Sequence, residues 1–305
     1  MHVKPQLPRG LITALITPSF NDVGSLRESL SRLIEFQLRN NVIGFFTLGT
    51  YGEGLLLPVE RRMLVLDIIA ENVPSGFLII NNVSALSIED SVKLAKHSID
   101  IGVDKIASLP PMYYNVGVYE IKRFFNELGR IEAQLFIYNN PRKVYVDISP
   151  ALLKQIAEET PSLIGIKDSS GSIERLIELV SIFLNQLYVG IASDTLILDA
   201  FLYGADAHIC GVCNAIPELA VEVLRSVEKG DLRRAMFIQT LINEFRSLSR
   251  EFNVEGVSLV KASLKLRGID VGDPFTPLRR LSEHEVLRVK SVLDKILSIA
   301  GIRKT

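Results

Sequence analysis

Tryptophan is absent from the 305 residues, cysteine occurs twice, and histidine and methionine four times each. The two cysteines, Cys210 and Cys213, have no second pair that would complete a zinc site. His2, His97, His208 and His284 are scattered, with no H-E-x-x-H, so no catalytic metal and no cofactor is expected. The cysteines fall in AHICGVCN, which reads as a strand. Residues three apart on a strand point to opposite faces, which argues against a redox pair. No apolar run approaches the roughly 20 residues that span a bilayer. The start, MHVKPQLPRG, lacks the apolar core of a signal peptide, so a cytoplasmic location is expected. Neither charge sign dominates: 34 basic and 35 acidic residues give a net charge of −1, with no basic arm for nucleic acid. The first apolar run is not followed by G-x-G-x-x-G, which counts against a doubly wound dinucleotide-binding sheet.

What is present is alternation. Short apolar runs recur at LITALITP (11–18), GFFTLGT (44–50), FLIINNVS (77–84), DKIASLPP (104–111), QLFIYNNP (134–141), LIGIKDSS (163–170), LYVGIAS (187–193) and AHICGVCN (207–214). Near-continuous runs of this length fit parallel strands buried on both faces. Helical patterns fill the gaps: Leu26, Leu30, Leu33 and Ile34 recur at helical spacing. Ser87 with Asp90 resembles a capping box, and Ser149–Pro150 gives an N-cap with proline at the first helical position. Eight strand–helix units by Lys229 have the size of a closed (β/α)8 TIM barrel, assigned to residues 1–229. After Gly230 only helices are expected, at 231–252, 254–267 and 282–300, the last opened by Ser282 and Glu285. They form a C-terminal helical extension, 230–305, with no flexible linker before it.

In such barrels the active site lies at the C-terminal ends of the strands. Polar residues at those ends are therefore the candidates. Strand 2 ends in GTYGEG with Thr50 and Tyr51, strand 4 leads to Tyr113 and Tyr114, strand 5 ends in Tyr138, and strand 6 in Lys167. Taken singly, Lys167 is a strand-end lysine, the glycine-flanked turn an ordinary βα loop and the tyrosines packing residues. Taken together they converge on one mouth. Neighbouring strands lie about 4.8 Å apart, so Tyr138 and Lys167 can face each other. An amine in an apolar setting loses part of its charge preference and becomes a nucleophile toward a carbonyl, forming a Schiff base. A nearby phenol can shuttle the proton. The turn at 49–52 offers N–H groups and a hydroxyl to an anion such as a carboxylate.

These motifs resemble the dihydrodipicolinate synthase / N-acetylneuraminate lyase family of pyruvate-dependent aldolases, over nearly the whole chain. GTYGE is similar to the family's G-[ST]-T-G-E, YNNP to Y-N-x-P, and GIKDSS to the sequence around the Schiff-base lysine. SDTLILDAFLYGADAHICGVCN resembles the passage from strand 7 through strand 8, closing on Asn214 and Pro217. Tyr138 and Lys167 are 29 positions apart, close to the family spacing. The resemblance implies that Lys167 carries the pyruvate imine and Tyr138 the proton, while Thr50 and the N–H of Tyr51 hold the carboxylate. Tyr114 would join a hydroxyl relay with Thr50 and Tyr138 from a neighbouring subunit, implying a homo-oligomer, expected to be a homotetramer. Ile209 would line the pocket, Lys143 and Asp194 would contact substrate, and Glu53 would fix the loop. The substrates implied are pyruvate and a small aldehyde.

Departures bear on that aldehyde. Tyr51 replaces the family's second threonine, as in hydratase-aldolases acting on aromatic substrates. Lys143 stands where the synthase has an arginine for a second carboxylate, with Arg142 one position early. Tyr145 replaces a glycine. Ala192 replaces the strand 7 glycine, and Thr195 an acidic residue of sialic-acid lyases. IASLPPMYY and SDTLI resemble archaeal 2-keto-3-deoxygluconate aldolases. The leading expectation is an aldolase acting on a 4-hydroxy-2-oxo acid of the 2-keto-3-deoxy sugar acid type. A 4-hydroxy-tetrahydrodipicolinate synthase is the alternative. Behind it stand a non-catalytic binding barrel, suggested by Tyr51, and a phosphosugar barrel, weakened by the lack of a glycine-rich loop after strands 7 and 8.

Overall fold

The computed structural model describes residues 4–301, so His2 and the outer ends of both expected units lie outside it. Eight parallel strands close into a barrel in chain order, β8 pairing back to β1: β1 (Gly10–Ala14), β2 (Gly44–Thr47), β3 (Leu78–Asn82), β4 (Lys105–Ser108), β5 (Gln134–Asn139), β6 (Leu163–Asp168), β7 (Tyr188–Ile191) and β8 (Ala207–Cys210). A helix follows each strand: α1 (Val23–Arg39), α2 (Val59–Glu71), α3 (Ile88–Asp100), α4 (Val118–Gly129), α5 (Pro150–Glu159), α6 (Ile173–Phe183), α7 (Ile197–Leu202) and α8 (Pro217–Glu228). This is a TIM barrel. Three more helices complete the chain: α9 (Leu232–Glu251), α10 (Gly256–Leu266) and α11 (Glu283–Ala300). Among the described residues no helix is long and apolar enough to cross a membrane.

The helices begin where local chemistry satisfies their free N–H groups. Asp22, Ser87, Ser149 and Ser172 each accept from the N–H three residues on, and Ser282 and Glu285 form a reciprocal capping box. Their apolar stripes face the barrel. On α1, Leu26, Leu30, Leu33 and Ile34 are buried. Inside the barrel, Ile12, Phe46, Ile80, Phe136, Tyr188 and Ile209 belong to one cluster and fill the lumen below the mouth. The extension does not stand apart. Ile238, Ile242 and Phe245 of α9, Leu259 and Val260 of α10 and Ile296 of α11 share one core with Leu11 of β1 and Leu30 of α1.

Two local expectations differ from the structure. The apolar runs are longer than the strands, because residues such as Leu15, Ile16 and Thr17 continue buried after the ladder stops. AHICGVCN is not strand throughout. Strand β8 ends at Cys210, and Gly211 opens a 3₁₀ turn over Val212–Asn214. That turn brings Cys213 back over Cys210, and the two form a buried disulfide. The opposite-face argument fails because the chain is no longer extended there. Asn214 anchors the turn by donating to the carbonyls of Ala14 (2.7 Å) and Gly211 (2.8 Å) and accepting from the Ile16 N–H (3.0 Å).

Gly165 of β6 is tightly packed in the barrel interior below the mouth. A Cβ there would lie 2.3 Å from the Phe136 ring and 2.7 Å from the Tyr188 carbonyl. Gly165→Ala should therefore destabilise the fold by about 1–3 kcal/mol, read as a lower denaturation midpoint in urea. Phe136→Leu in the same chain should recover only part of the loss, because the Tyr188 carbonyl still obstructs. An unchanged midpoint for Gly165→Ala would show that the barrel interior yields more than this packing allows.

Candidate active site

Strand register sets the centre of the site. Tyr138 of β5 and Lys167 of β6 are direct register partners, and on adjacent parallel strands such partners point to the same face. Both are buried in the mouth of the barrel, at 2% and 3% exposure. The Lys167 Nζ lies 3.6 Å from the centre of the Phe46 ring and 4.1 Å from that of Tyr138. Among the described residues no carboxylate forms an ion pair with it. Burial therefore lowers the Lys167 ammonium below its ordinary value, although the neighbouring Tyr138 opposes part of the shift. Burial alone would raise the Tyr138 phenol. Lys167 beside it, with hydrogen bonds from Thr50, Asn140 and Ser169, brings it below its ordinary value instead. The Tyr138 hydroxyl is 2.9 Å from the Thr50 Oγ1 and accepts from the Asn140 Nδ2 at 3.1 Å.

The loop after β2 is folded tightly against this pair. A Cβ on Gly49 would meet the Phe46 ring at 2.6 Å and lie 3.9 Å from the Lys167 Nζ, so the amine sits beneath the loop. Two non-glycine residues adopt the left-handed region, Leu48 (φ 55°) and Glu53 (φ 51°). Each such residue costs of order 1–2 kcal/mol and persists only where its surroundings impose it. Here they do. Asn82 donates to the Leu48 carbonyl (2.9 Å) and Thr17 to the Gly52 carbonyl (2.7 Å), while the Glu53 carboxylate is held from the C-terminal extension. Buried Arg62 of α2 supports Asn82 in turn, donating to the carbonyls of Asn82 (2.6 Å) and Ser84 (2.8 Å).

Thr50, Tyr51, Tyr138, Lys143, Lys167, Asp194 and Ile209 all line one cavity of about 810 Å³. Their partners differ. The Tyr51 ring is packed against Gly211 and Gly256, where any Cβ would clash with it, and its hydroxyl is 3.4 Å from the Asp194 Oδ2. Burial, and after it the Asp194 carboxylate, holds this phenol well above its ordinary value, so it stays a donor. Asp194 also accepts from the Gly211 N–H (2.8 Å) and faces the Arg246 Nε (3.8 Å). Lys143 is ion-paired with Glu255. Arg142 lines the cavity without a carboxylate partner among the described residues. Tyr114 is not brought to the site. It is 74% exposed and stacks edge-to-face on Tyr113, which does reach the cavity.

Several cavity residues escaped the sequence reading. Asn140 and Ser169 sit inside the motifs YNNP and KDSS, and their position beside the strand-end tyrosine and lysine was the available signal. Arg246 of α9 and Gly256 of α10 line the cavity from helices that carry no active-site motif. Among the described residues there is no group of three or more His, Cys, Asp or Glu that could hold a metal.

Comparison with known proteins places the chain in one family. The family model described as the dihydrodipicolinate synthetase family matches residues 7–296. A 4-hydroxy-tetrahydrodipicolinate synthase of Bartonella bacilliformis is 27% identical, covering 97% of this chain and 99% of its own. An N-acetylneuraminate lyase of Rhizobium meliloti is 25% identical, covering 95% of each chain. In structure, YagE, an Escherichia coli K12 prophage protein of the dihydrodipicolinic acid synthase family solved with pyruvate, superposes with a TM-score of 0.87 at 22% identity. The match covers 94% of this chain and 98% of that one. Spanning almost its full length, the match makes this chain a member of the dihydrodipicolinate synthetase family, an enzyme of the lyase class.

Proposed function

We propose that this protein is a pyruvate-dependent aldolase that makes or cleaves a 4-hydroxy-2-oxo acid of the 2-keto-3-deoxy sugar acid type. The observation that carries the reading is the Lys167 amine, buried against two aromatic rings, without a carboxylate partner, beside the Thr50–Tyr138 hydroxyl pair. The Nζ attacks the C2 carbonyl of pyruvate and water leaves, giving an iminium. That cation withdraws electrons from C3, which gives up a proton and adds to the aldehyde carbon. The new alkoxide takes a proton, and water releases Lys167. Tyr138 carries protons in both directions. The Thr50 hydroxyl and the Tyr51 N–H hold the pyruvate carboxylate. Asp194 and Ile209 bound the space for the aldehyde. No step calls for a cofactor, and a cytoplasmic setting fits this chemistry.

The two competing readings rest on named residues. Lys143 is neutralised by Glu255, which weakens it as the binder of a second carboxylate and favours the sugar-acid substrate. Unpaired Arg142 keeps the 4-hydroxy-tetrahydrodipicolinate synthase reading open. The Tyr51 ring, packed on Gly211 and Gly256, leaves the loop free for a carboxylate, which favours turnover over binding alone. Pyruvate assayed with glyceraldehyde, N-acetylmannosamine and aspartate semialdehyde tests the choice. Glyceraldehyde is expected to be the best acceptor. Preference for aspartate semialdehyde would make the enzyme a synthase, and no condensation with any aldehyde would overturn the aldolase reading.

The relay requires a second copy of the chain. Leu55, Leu56, Leu86, Tyr113, Tyr114 and Tyr119 are exposed on the loops and helix after β2, β3 and β4, an apolar margin beside the cavity. We read it as the surface of a homotetramer built from dimers, with Tyr114 of the partner subunit completing the Thr50–Tyr138 pair. Tyr114→Phe should lower kcat with little change in fold. Mixing inactive Lys167→Ala subunits with Tyr114→Phe subunits should restore part of the activity, because one site of each mixed dimer is then intact. No recovery despite demonstrated subunit exchange would assign Tyr114 to its own chain, and a monomer in light scattering would end the idea.

The lowered Lys167 ammonium has a kinetic signature. Imine formation needs the neutral amine, so its rate should rise with pH through a midpoint below the ordinary lysine value of 10.5. Tyr138→Phe removes the group that holds the ammonium up, so the midpoint should fall further. Loss of proton transfer should also lower kcat by ~10²–10⁴-fold. An unmoved midpoint with unchanged kcat would assign Tyr138 to packing.

A further inference from the structure

Behind the carboxylate-binding loop lies a buried ion pair joining residues 208 positions apart. Glu53, in the left-handed region at the end of the loop, faces Lys261 of α10 with Oε2 2.6 Å from Nζ, and the side chains are 0% and 1% exposed. The second carboxylate oxygen accepts from the Phe275 N–H at 2.7 Å. Lys261 also donates to the Asp273 carbonyl (3.1 Å), and its ammonium lies 4.7 Å from the centre of the Phe275 ring. The segment around Asp273 is tied to the β1 side of the barrel as well. Ser19 donates to the Asp273 carbonyl (2.6 Å) and its N–H to the Val271 carbonyl (3.0 Å), and Ser29 donates to the Asp270 carbonyl (2.6 Å).

A charge pair this deep is costly to desolvate, and its attraction is rarely a net gain over an apolar pair of the same shape. Its geometry suggests another use. The Glu53 N–H bonds to the Thr50 carbonyl (3.2 Å) and the Gly54 N–H to the Gly49 carbonyl (3.2 Å), so any rotation of Glu53 is passed directly to Thr50 and Tyr51. We propose that Lys261, acting through Glu53, is a positioning residue for the 2-oxo acid carboxylate: the C-terminal extension holds the loop hydroxyl and N–H in binding geometry. This rests on the reading of Thr50 and Tyr51 as the carboxylate cradle. Lys261 does not touch substrate and takes no part in proton transfer.

The consequence is a split between affinity and turnover. Lys261→Met and Glu53→Gln should each weaken pyruvate binding by about ten-fold or more, since small misplacements of a binding group are expensive. The kcat per competent site should fall less than the affinity, because Lys167 and Tyr138 keep their places and only the Thr50 partner of Tyr138 shifts. Affinity is read from borohydride trapping across a range of pyruvate concentrations, and the trapped fraction at saturation counts competent sites. If Lys261→Met strands the Glu53 charge and fails to fold, the neutral pair Glu53→Gln/Lys261→Met removes that charge and should show the same weakened affinity. Leu259→Ala, also buried in α10, should lower the melting temperature without changing affinity per competent site. Affinity within two-fold of wild type in Glu53→Gln and in the neutral pair, with trapping intact, would remove the role of Lys261 alone. A wild-type protein that pyruvate and borohydride do not label would remove the carboxylate-cradle reading together with it.

Discussion

Everything at the mouth of this barrel depends on keeping one lysine dry and without a carboxylate partner. Lys167 is placed by β6, walled by Phe46 and Tyr138 and roofed by the Gly49 turn. A carboxylate within ion-pair distance would restore its charge and remove its nucleophilicity. The structure uses its carboxylates accordingly. Asp168, next in the chain, points to the other side of the strand and is bonded by Asn139 and Ser170. Asp194 is occupied by the Gly211 N–H, Tyr51 and Arg246. The Glu53 carboxylate is paired with Lys261. Three acids stand close to the site, and each is committed elsewhere.

The same constraint explains why the helices after the barrel are part of the site. A βα loop that folds back over the amine needs support on its far side, and from the barrel Thr17 and Asn82 hold its carbonyls. The remaining support comes from α10 and the segment after it. From α9, Gln239 donates to the Asp194 carbonyl (2.9 Å) and Arg246 faces its carboxylate, which fixes the exit of β7. Gly256 opens α10 where, as at Gly211, the Tyr51 ring requires the absence of a Cβ. The turn at Gly230 divides the chain by pattern, but the hydrophobic core runs through it.

The barrel was legible because buried parallel strands and amphipathic helices write different periods into the sequence. The proximity of Tyr138 and Lys167 was legible too, since adjacent strands in such a barrel share register and both residues end their runs. What could not be read was contact across long separations. Lys261 and Arg246 sit on helices whose sequence signals only amphipathicity, and their roles come from docking on loops some 50 to 200 residues away. The end of β8 was misjudged because Gly211, Val212 and Cys213 continue an apolar run through a turn, and hydropathy does not distinguish a buried turn from a buried strand. Tyr51 is legible as a replacement for a threonine. Its orientation depends on two glycines, Gly211 and Gly256, that no local pattern connects to it.

The central claim is that Lys167 forms the imine, and it is tested most directly at that atom. The protein is incubated with pyruvate and sodium borohydride, digested, and the modified peptide sequenced by tandem mass spectrometry. The account predicts one reduced pyruvyl adduct per chain, located on the side chain of Lys167 and absent from Lys167→Ala. An adduct on any other lysine, or labelling that persists in Lys167→Ala, would contradict it.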